Sequence, residues 1–113
     1  MLPAKYKIRE REVFELLKKE GASIRVKKFV FVFLKKEELA NSKFGFVVSK
    51  KINKRAVVRN RIRRILQVAL EKYLKEMTAN YYGLFIVRED ISGMKAVELN
   101  ADIEKVLGQA GII

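Results

Sequence analysis

The stretch that most constrains this chain covers residues 44–70, FGFVVSKKINKRAVVRNRIRRILQVAL, in which a strand-like segment leads through a basic turn into a helix. No Asp or Glu occurs from Leu39 to Leu70, whereas nine basic residues do: Lys43, Lys50, Lys51, Lys54, Arg55, Arg59, Arg61, Arg63 and Arg64. Cations in the first turns of a helix cost about 0.3–1 kcal/mol each, because the helix N-terminus carries partial positive charge. A local preference broken this consistently indicates a functional surface, and clustered guanidinium groups suit a phosphate-rich polyanion.

A basic helix face that only keeps the protein soluble is the alternative to a binding surface. The distribution of charge argues against it. The formal net charge is +12, but residues 39–70 contribute +9 of it, and residues 89–113, with five acidic and two basic groups, carry −3. Such asymmetry favours one nucleic-acid-binding surface over general charging of the whole protein.

The composition also excludes several kinds of chemistry. The chain has no Cys and no His, which removes disulfides, thiolate metal sites and imidazole catalysis. The paired acids at 37–38 and 89–90 are adjacent rather than convergent, so we predict no catalytic residue, no metal ligand and no cofactor bound by the protein. The absence of Cys, of a long apolar run and of a signal-like segment at residues 1–7 predicts a cytoplasmic protein with no membrane partner.

The 113 residues are predicted to form one nucleic-acid-binding domain, residues 1–113. Periodicity predicts helices at 9–20, 54–77 and 94–107, closed by Gly21 or capped by Asn53 and Ser92. It predicts strands at 24–34, 44–49 and 81–87, with Asn41-Ser42 as a hairpin turn between the first two. The order α-β-β-α-β-α indicates a two-layer α/β sandwich.

The register of the central helix decides which side chains face solvent. At 100° per residue one apolar stripe faces the sheet: Val58, Ile62, Ile65, Leu66, Ala69, Tyr73 and Met77. Asn60, Arg61 and Arg64 fall on the opposite side, and Arg59 and Arg63 flank the stripe. The arginines are therefore expected to point outward.

The string Ser49-Lys50-Lys51 followed by AVVRNRIRR at 56–64 resembles the signature of the bacterial ribonuclease P protein subunit. Upstream, Phe14, Gly21 and the segment 29–31 stand in the order of that family, and the resemblance covers about residues 8–87. It implies a left-handed β-α-β crossover, whereas such units are ordinarily right-handed. The turn INKRA is one residue longer than the commonest family form and lacks its usual glycine.

The resemblance implies a non-catalytic subunit of an endoribonuclease. In ribonuclease P the RNA subunit, using Mg²⁺, hydrolyses precursor tRNA to make the mature 5′ end, and the protein binds that RNA and the single-stranded 5′ leader. The residues that match the RNA-binding motif are Lys50, Lys51, Arg59, Asn60, Arg61, Arg63 and Arg64, and the adjoining Lys54 and Arg55 are predicted to join them.

The leader is expected between the first helix and the sheet. Phe14 matches an aromatic of the family there, whereas the second helix aromatic falls at Lys18 and a strand tyrosine at Val32. We therefore predict a leader site of Phe14, Lys18, Lys28 and Val32 that depends more on charge than on stacking.

Two other functions fit the basic helix. A ribosomal-type or other RNA-binding module would use the same surface without any role in processing. A DNA-binding protein would read a groove with residues 59–64, because Asn and Arg can bind base edges.

Overall fold

The computed structural model describes residues 2–77 and 80–113. Its helices are α1 (Arg11–Glu20), α2 (Ala56–Glu71) and α3 (Asn100–Ala110), and its strands are β1 (Ala22–Arg25), β2 (Phe29–Lys35), β3 (Lys43–Val47) and β4 (Tyr81–Val87). Short 3₁₀ turns occur at Ala4–Tyr6, Leu74–Glu76 and Ala96–Leu99. The order is thus α-β-β-β-α-β-α, with one strand more than the sequence predicted. In this part of the chain no helix has both the length and the apolar character that crossing a bilayer requires.

The sheet has the strand order β1-β2-β4-β3. β2 runs antiparallel to β1 and β4, and β3 runs parallel to β4. One face packs with α1 around Val13, Leu17 and Leu84. The other face packs with α2 and α3 around a larger core that includes Phe31 and Phe85. The predicted α/β class is therefore confirmed, and α1 adds a third layer on the face of the sheet opposite α2 and α3.

Two strand predictions are wrong. The segment 24–34 is not one strand, because the Val26 N–H bonds the Phe29 carbonyl at 3.0 Å and closes a hairpin between β1 and β2. Residues 41–42 do not form a hairpin turn, because β4 lies between β2 and β3. That connection is tied instead to the start of β4, where the Tyr81 N–H bonds the Ser42 hydroxyl at 3.0 Å.

The β3–α2–β4 unit joins neighbouring parallel strands through a helix, as a crossover requires. The left-handed sense that the resemblance implies stays a prediction. The helix register is confirmed, because Val58, Ile62, Leu66, Ala69 and Tyr73 are buried. Ile65 and Met77 are half-buried at the margin of the same core.

Several predicted helix ends move. α1 begins at Arg11, and α2 begins at Ala56 and ends at Glu71. Arg55, not Asn53, is the N-cap of α2, and Asn53 instead accepts a hydrogen bond from the Arg55 N–H at 2.9 Å. Ser92 does not cap the last helix, because α3 begins at Asn100 and its N-cap is Leu99. The Ser92 N–H bonds the Asp90 carboxylate instead.

Candidate nucleic-acid interface

The basic turn, residues 49–55, leads from the end of β3 to the start of α2. Val48 is buried and anchors its first end, and the Ile52 N–H bonds the Ser49 carbonyl at 3.1 Å. The cations of this turn are exposed to solvent: Lys50, Lys51, Lys54 and Arg55. The turn therefore presents four positive charges at the N-terminus of the helix.

The first half of α2 continues this charged surface. Asn60, Arg61 and Arg64 are exposed, while Arg59 and Arg63 are half-buried at the sides, as the helical register predicted. The opposite stripe of the helix is held in the core by side chains that are fully buried, among them Ile62 and Leu66. Packing of the apolar stripe thus fixes the direction in which the arginines point.

Two of the motif arginines are held by local hydrogen bonds. Arg59 donates from Nη1 to the carbonyls of Lys54 and Asn53, at 2.8 and 3.1 Å. Arg63 donates from Nη1 to Oδ1 of Asn60 at 2.7 Å. A guanidinium has five N–H donors in a planar fork, so a bond from one nitrogen leaves others to bind a phosphate. Arg59 therefore also fixes the shape of the basic turn.

An acidic side chain completes the turn, and the sequence analysis missed its role. Asp90 accepts from Asn53 Nδ2 at 3.0 Å and from the Ser92 N–H at 2.9 Å. Hydrogen bonds from Ser92 and then from Asn53 hold the pKa of Asp90 below its ordinary value. The Asp-X-Ser spacing after a strand is typical of an Asx turn and was the available signal. Its partner 37 residues away was not readable from the sequence.

The positive charge of this surface is not neutralised within the described residues. Their ion pairs join Lys28 to Asp102, Lys35 to Glu37 and Lys36 to Glu38, and none includes a cation from the segment 43–64. Nor does any group of three acidic side chains come together at metal-binding distance in residues 2–77 and 80–113. The exposed cations, unpaired within the part of the chain that the structure describes, make the surface suited to bind an anion.

A cleft of about 530 Å³ lies between α1 and the sheet, next to the basic turn. Its wall is formed by α1 and its floor by β3 and β4, and the lining residues are Arg11, Phe14, Glu15, Lys18, Val47, Leu84 and Ile86. The Phe14 ring lies against the backbone of Gly45, where an added Cβ would be only 2.8 Å from Phe14 Cε1. The cleft thus combines an aromatic ring, an apolar floor and two cations.

A family comparison agrees with this geometry. The model of the family described as Ribonuclease P matches residues 2–111 of the chain. The chain belongs to the ribonuclease P protein family.

Relatives and solved structures support the same family. The ribonuclease P protein component of Exiguobacterium sibiricum is 31% identical over 95% of this chain and 91% of the relative. That of Geobacillus kaustophilus is 32% identical over 95% of this chain and 88% of the relative. Among structures, the Staphylococcus aureus RNase P protein superposes with a TM-score of 0.80 at 26% identity, covering 95% of this chain and 96% of the other. The Thermotoga maritima protein gives 0.74 at 25%, with the same coverage.

The leader residues expected from the ribonuclease P resemblance do not all meet in the cleft. Phe14 and Lys18 line it. Lys28 instead lies in the β1–β2 turn, with its Nζ 3.1 Å from Asp102 of α3 in the opposite layer. Val32 packs in the small core under α1 and is not part of the lining. The second cation of the cleft is Arg11, which shares a helix face with Phe14 and Lys18, and that spacing was the signal for it.

Proposed function

We propose that this chain is the RNA-binding protein subunit of a cytoplasmic ribonuclease P and assists 5′-end maturation of tRNA. The observation that carries the proposal is the unneutralised surface formed by the basic turn and α2, beside a cleft with an aromatic wall. The protein subunit acts as a binder, and the hydrolysis of the phosphodiester bond belongs to the RNA subunit with its Mg²⁺. No cofactor is assigned to the protein.

In this proposal the RNA subunit binds the outward face of α2 and the basic turn. The six exposed cations of this surface are Lys50, Lys51, Lys54, Arg55, Arg61 and Arg64. Arg59, Asn60 and Arg63 stand among them and add hydrogen-bond donors at the same surface. Folded RNA offers closely spaced phosphates, and release of its counterions gives such a surface most of its affinity.

The 5′ leader of precursor tRNA lies in the cleft of α1. The Phe14 ring is half-buried, so one part of it packs on the sheet while the rest remains available to a base. Stacking on an aromatic contributes about 1–3 kcal/mol per base without sequence preference. Arg11 and Lys18 stand on the same wall and suit the leader phosphates.

The two RNA sites adjoin along β3. Val47 lines the cleft, and only three residues later the chain reaches Lys50 and Lys51. A leader that leaves the cleft along this strand meets the surface assigned to the RNA subunit. The protein then holds the substrate against the catalytic RNA and offsets the repulsion between two polyanions.

The direct test adds the chain to a bacterial ribonuclease P RNA at low Mg²⁺ and measures cleavage of precursor tRNA. We expect clear stimulation, because cations of the protein replace part of the screening that Mg²⁺ supplies. An RNA-binding module without a processing role would bind the RNA with the same salt dependence but leave cleavage unchanged. A groove-reading DNA-binding protein would prefer duplex DNA over ribonuclease P RNA in a competition assay. Either result rejects the proposed function.

A further inference from the structure

α1 crosses only one end of the sheet. Just before α1, the Ile8 N–H bonds the Phe44 carbonyl at 3.0 Å, and just after it Gly21 lies against Val32 and the Phe33 carbonyl. Phe44 and Phe33 both pair with Gly83, so the two ends of the helix lie over the same row of the sheet. α1 therefore leaves uncovered the part of this face that lies toward the end of β4.

A second row of side chains lies on that uncovered part. Arg25 pairs with Val30, Val30 with Ile86, and Ile86 with Val47, across all four strands. Paired residues share a face, and so do residues two apart on one strand. Because Val32 and Leu84 pack with α1, this row stands on the α1 face. With strands about 4.8 Å apart, its three steps span roughly 14 Å.

The row continues the floor of the cleft as an open shelf. Val47, with 36% of its surface exposed, and Ile86 line the cleft itself. Val30 is half-buried and, among the described residues, belongs to neither packed apolar cluster. Arg25 is exposed at the far end on β1. The shelf is therefore a strip of apolar side chains that ends in a cation.

We propose that Arg25 is the distal phosphate contact of a single-stranded RNA that runs from the cleft across this shelf. The inference rests on the proposed leader-binding function and extends it to β1. Single-stranded RNA fits because its bases can lie on a sheet face while its phosphates meet cations along the path. The one acid of the cleft lining, Glu15, is flanked on its own helix face by Arg11 and Lys18.

The test compares precursor tRNAs whose leaders differ in length, bound by the assembled ribonuclease P. One leader has a single nucleotide, too short to cross the shelf, and the other has about eight, within the footprint of single-strand-binding folds. The variants are Arg25→Ala, Arg25→Lys and, as a control of equal charge loss, Lys105→Ala, an exposed cation on α3 in the opposite layer. Melting temperatures establish that each variant is folded.

For the long leader we expect Arg25→Ala to weaken binding by about two- to fivefold, as for an exposed ion pair. The slope of log K against log[salt] should also become about 0.7 less steep, as for one contact to a single strand. Arg25→Lys should retain most of the affinity, and Lys105→Ala should change neither substrate. Equal effects of Arg25→Ala on both leaders, or no effect beyond that of Lys105→Ala, would overturn the assignment. If the unmodified protein itself did not distinguish the two leaders, the proposed leader function would fail instead.

Discussion

The side chains of Asn53 and Asp90 are joined by a hydrogen bond of 3.0 Å, from Nδ2 of the amide to Oδ2 of the carboxylate. This bond ties the loop after β4 to the basic turn before α2. Asn53 in turn accepts from the Arg55 N–H through Oδ1 and from the Arg59 guanidinium through its carbonyl. An acidic residue thus helps to fix the positions of cations on the proposed RNA-binding surface.

This arrangement predicts opposite effects of two substitutions at Asp90. Asp90→Ala removes both acceptors, so we expect a stability loss of about 0.5–1 kcal/mol and weaker binding of ribonuclease P RNA. Asp90→Asn keeps one oxygen acceptor and removes a charge that repels RNA, so its binding should equal or exceed that of the unmodified protein. Thermal melting and filter binding measure the two effects. Tighter binding by Asp90→Ala would mean that the carboxylate acts only as a repelling charge.

The same carboxylate predicts an acid-dependent change in stability. Hydrogen bonds, with those from Ser92 foremost, lower the pKa of Asp90 below the ordinary value of 3.8 in the folded state. The contribution of the ionised carboxylate to folding stability is therefore fully present above the unfolded-state pKa. It is lost as the pH falls through the lower pKa of the folded state. The gap in melting temperature between the unmodified protein and Asp90→Asn should be constant near neutrality and close in strong acid. A gap that persists at the acid end would contradict this assignment.

Because Arg61 and Arg64 of the basic motif are exposed, substitutions there should weaken RNA binding without reducing stability. Arg61→Ala combined with Arg64→Ala should weaken RNA binding with little change in melting temperature, because both side chains lie in solvent. If four or five cations contact phosphate, log K falls with log[salt] at a slope of roughly −3 to −4. In the double variant this slope should be less steep by about 1.4. Lys72→Ala with Lys75→Ala, exposed beyond the end of α2, is the control of equal charge. A slope near zero in the unmodified protein would leave the surface without an RNA-binding role.

Substitutions on the buried side of α2 should instead reduce the stability of the protein. Leu66 has no exposed surface, so Leu66→Ala should cost about 2–5 kcal/mol of unfolding free energy. Val68, two residues later, is 43% exposed, and Val68→Ala should change stability far less. Denaturant unfolding of both variants measures the difference. Equal losses of unfolding free energy in the two variants would show that the register of α2 is wrong.

Local periodicity was enough to predict the elements that carry the proposed RNA-binding surface. The apolar stripe through Val58, Ile62 and Leu66 identified the outward arginines, because an amphipathic helix has only one way to bury that stripe. The run of residues 81–87 was predicted as a strand with the bounds that β4 has. Each of these inferences depends on neighbours in sequence alone.

Long-range pairing was not predictable in the same way. The hairpin of β1 and β2 turns through Lys27 and Lys28 without the Gly or Asn that usually announces such a turn. The insertion of β4 between β2 and β3 depends on contacts across the whole chain. For the same reason Lys28 was expected in the cleft, whereas its charge meets Asp102 in the other layer.

The contact between Phe14 and Gly45 supplies a test of the cleft that leaves every charge unchanged. A Cβ at residue 45 would lie 2.8 Å from Phe14 Cε1 and 3.1 Å from Leu84 Cδ1, so Gly45→Ala must displace the ring. Overpacking of this kind costs about 1–3 kcal/mol of stability. Since the ring is proposed to stack on the leader, affinity for precursor tRNA should fall while affinity for mature tRNA stays the same.

The control for this variant is Gly93→Ala, where an added Cβ meets no atom within 4 Å. Binding of ribonuclease P RNA should be equal in both variants, because Phe14 packs in the small core under α1, whereas α2 packs in the core on the other face of the sheet. The measured quantity is the ratio of the dissociation constants for mature and precursor tRNA in the assembled enzyme. If Gly45→Ala left that ratio unchanged, the leader would not contact the ring of Phe14, and its affinity would have to come from the cations of the cleft alone.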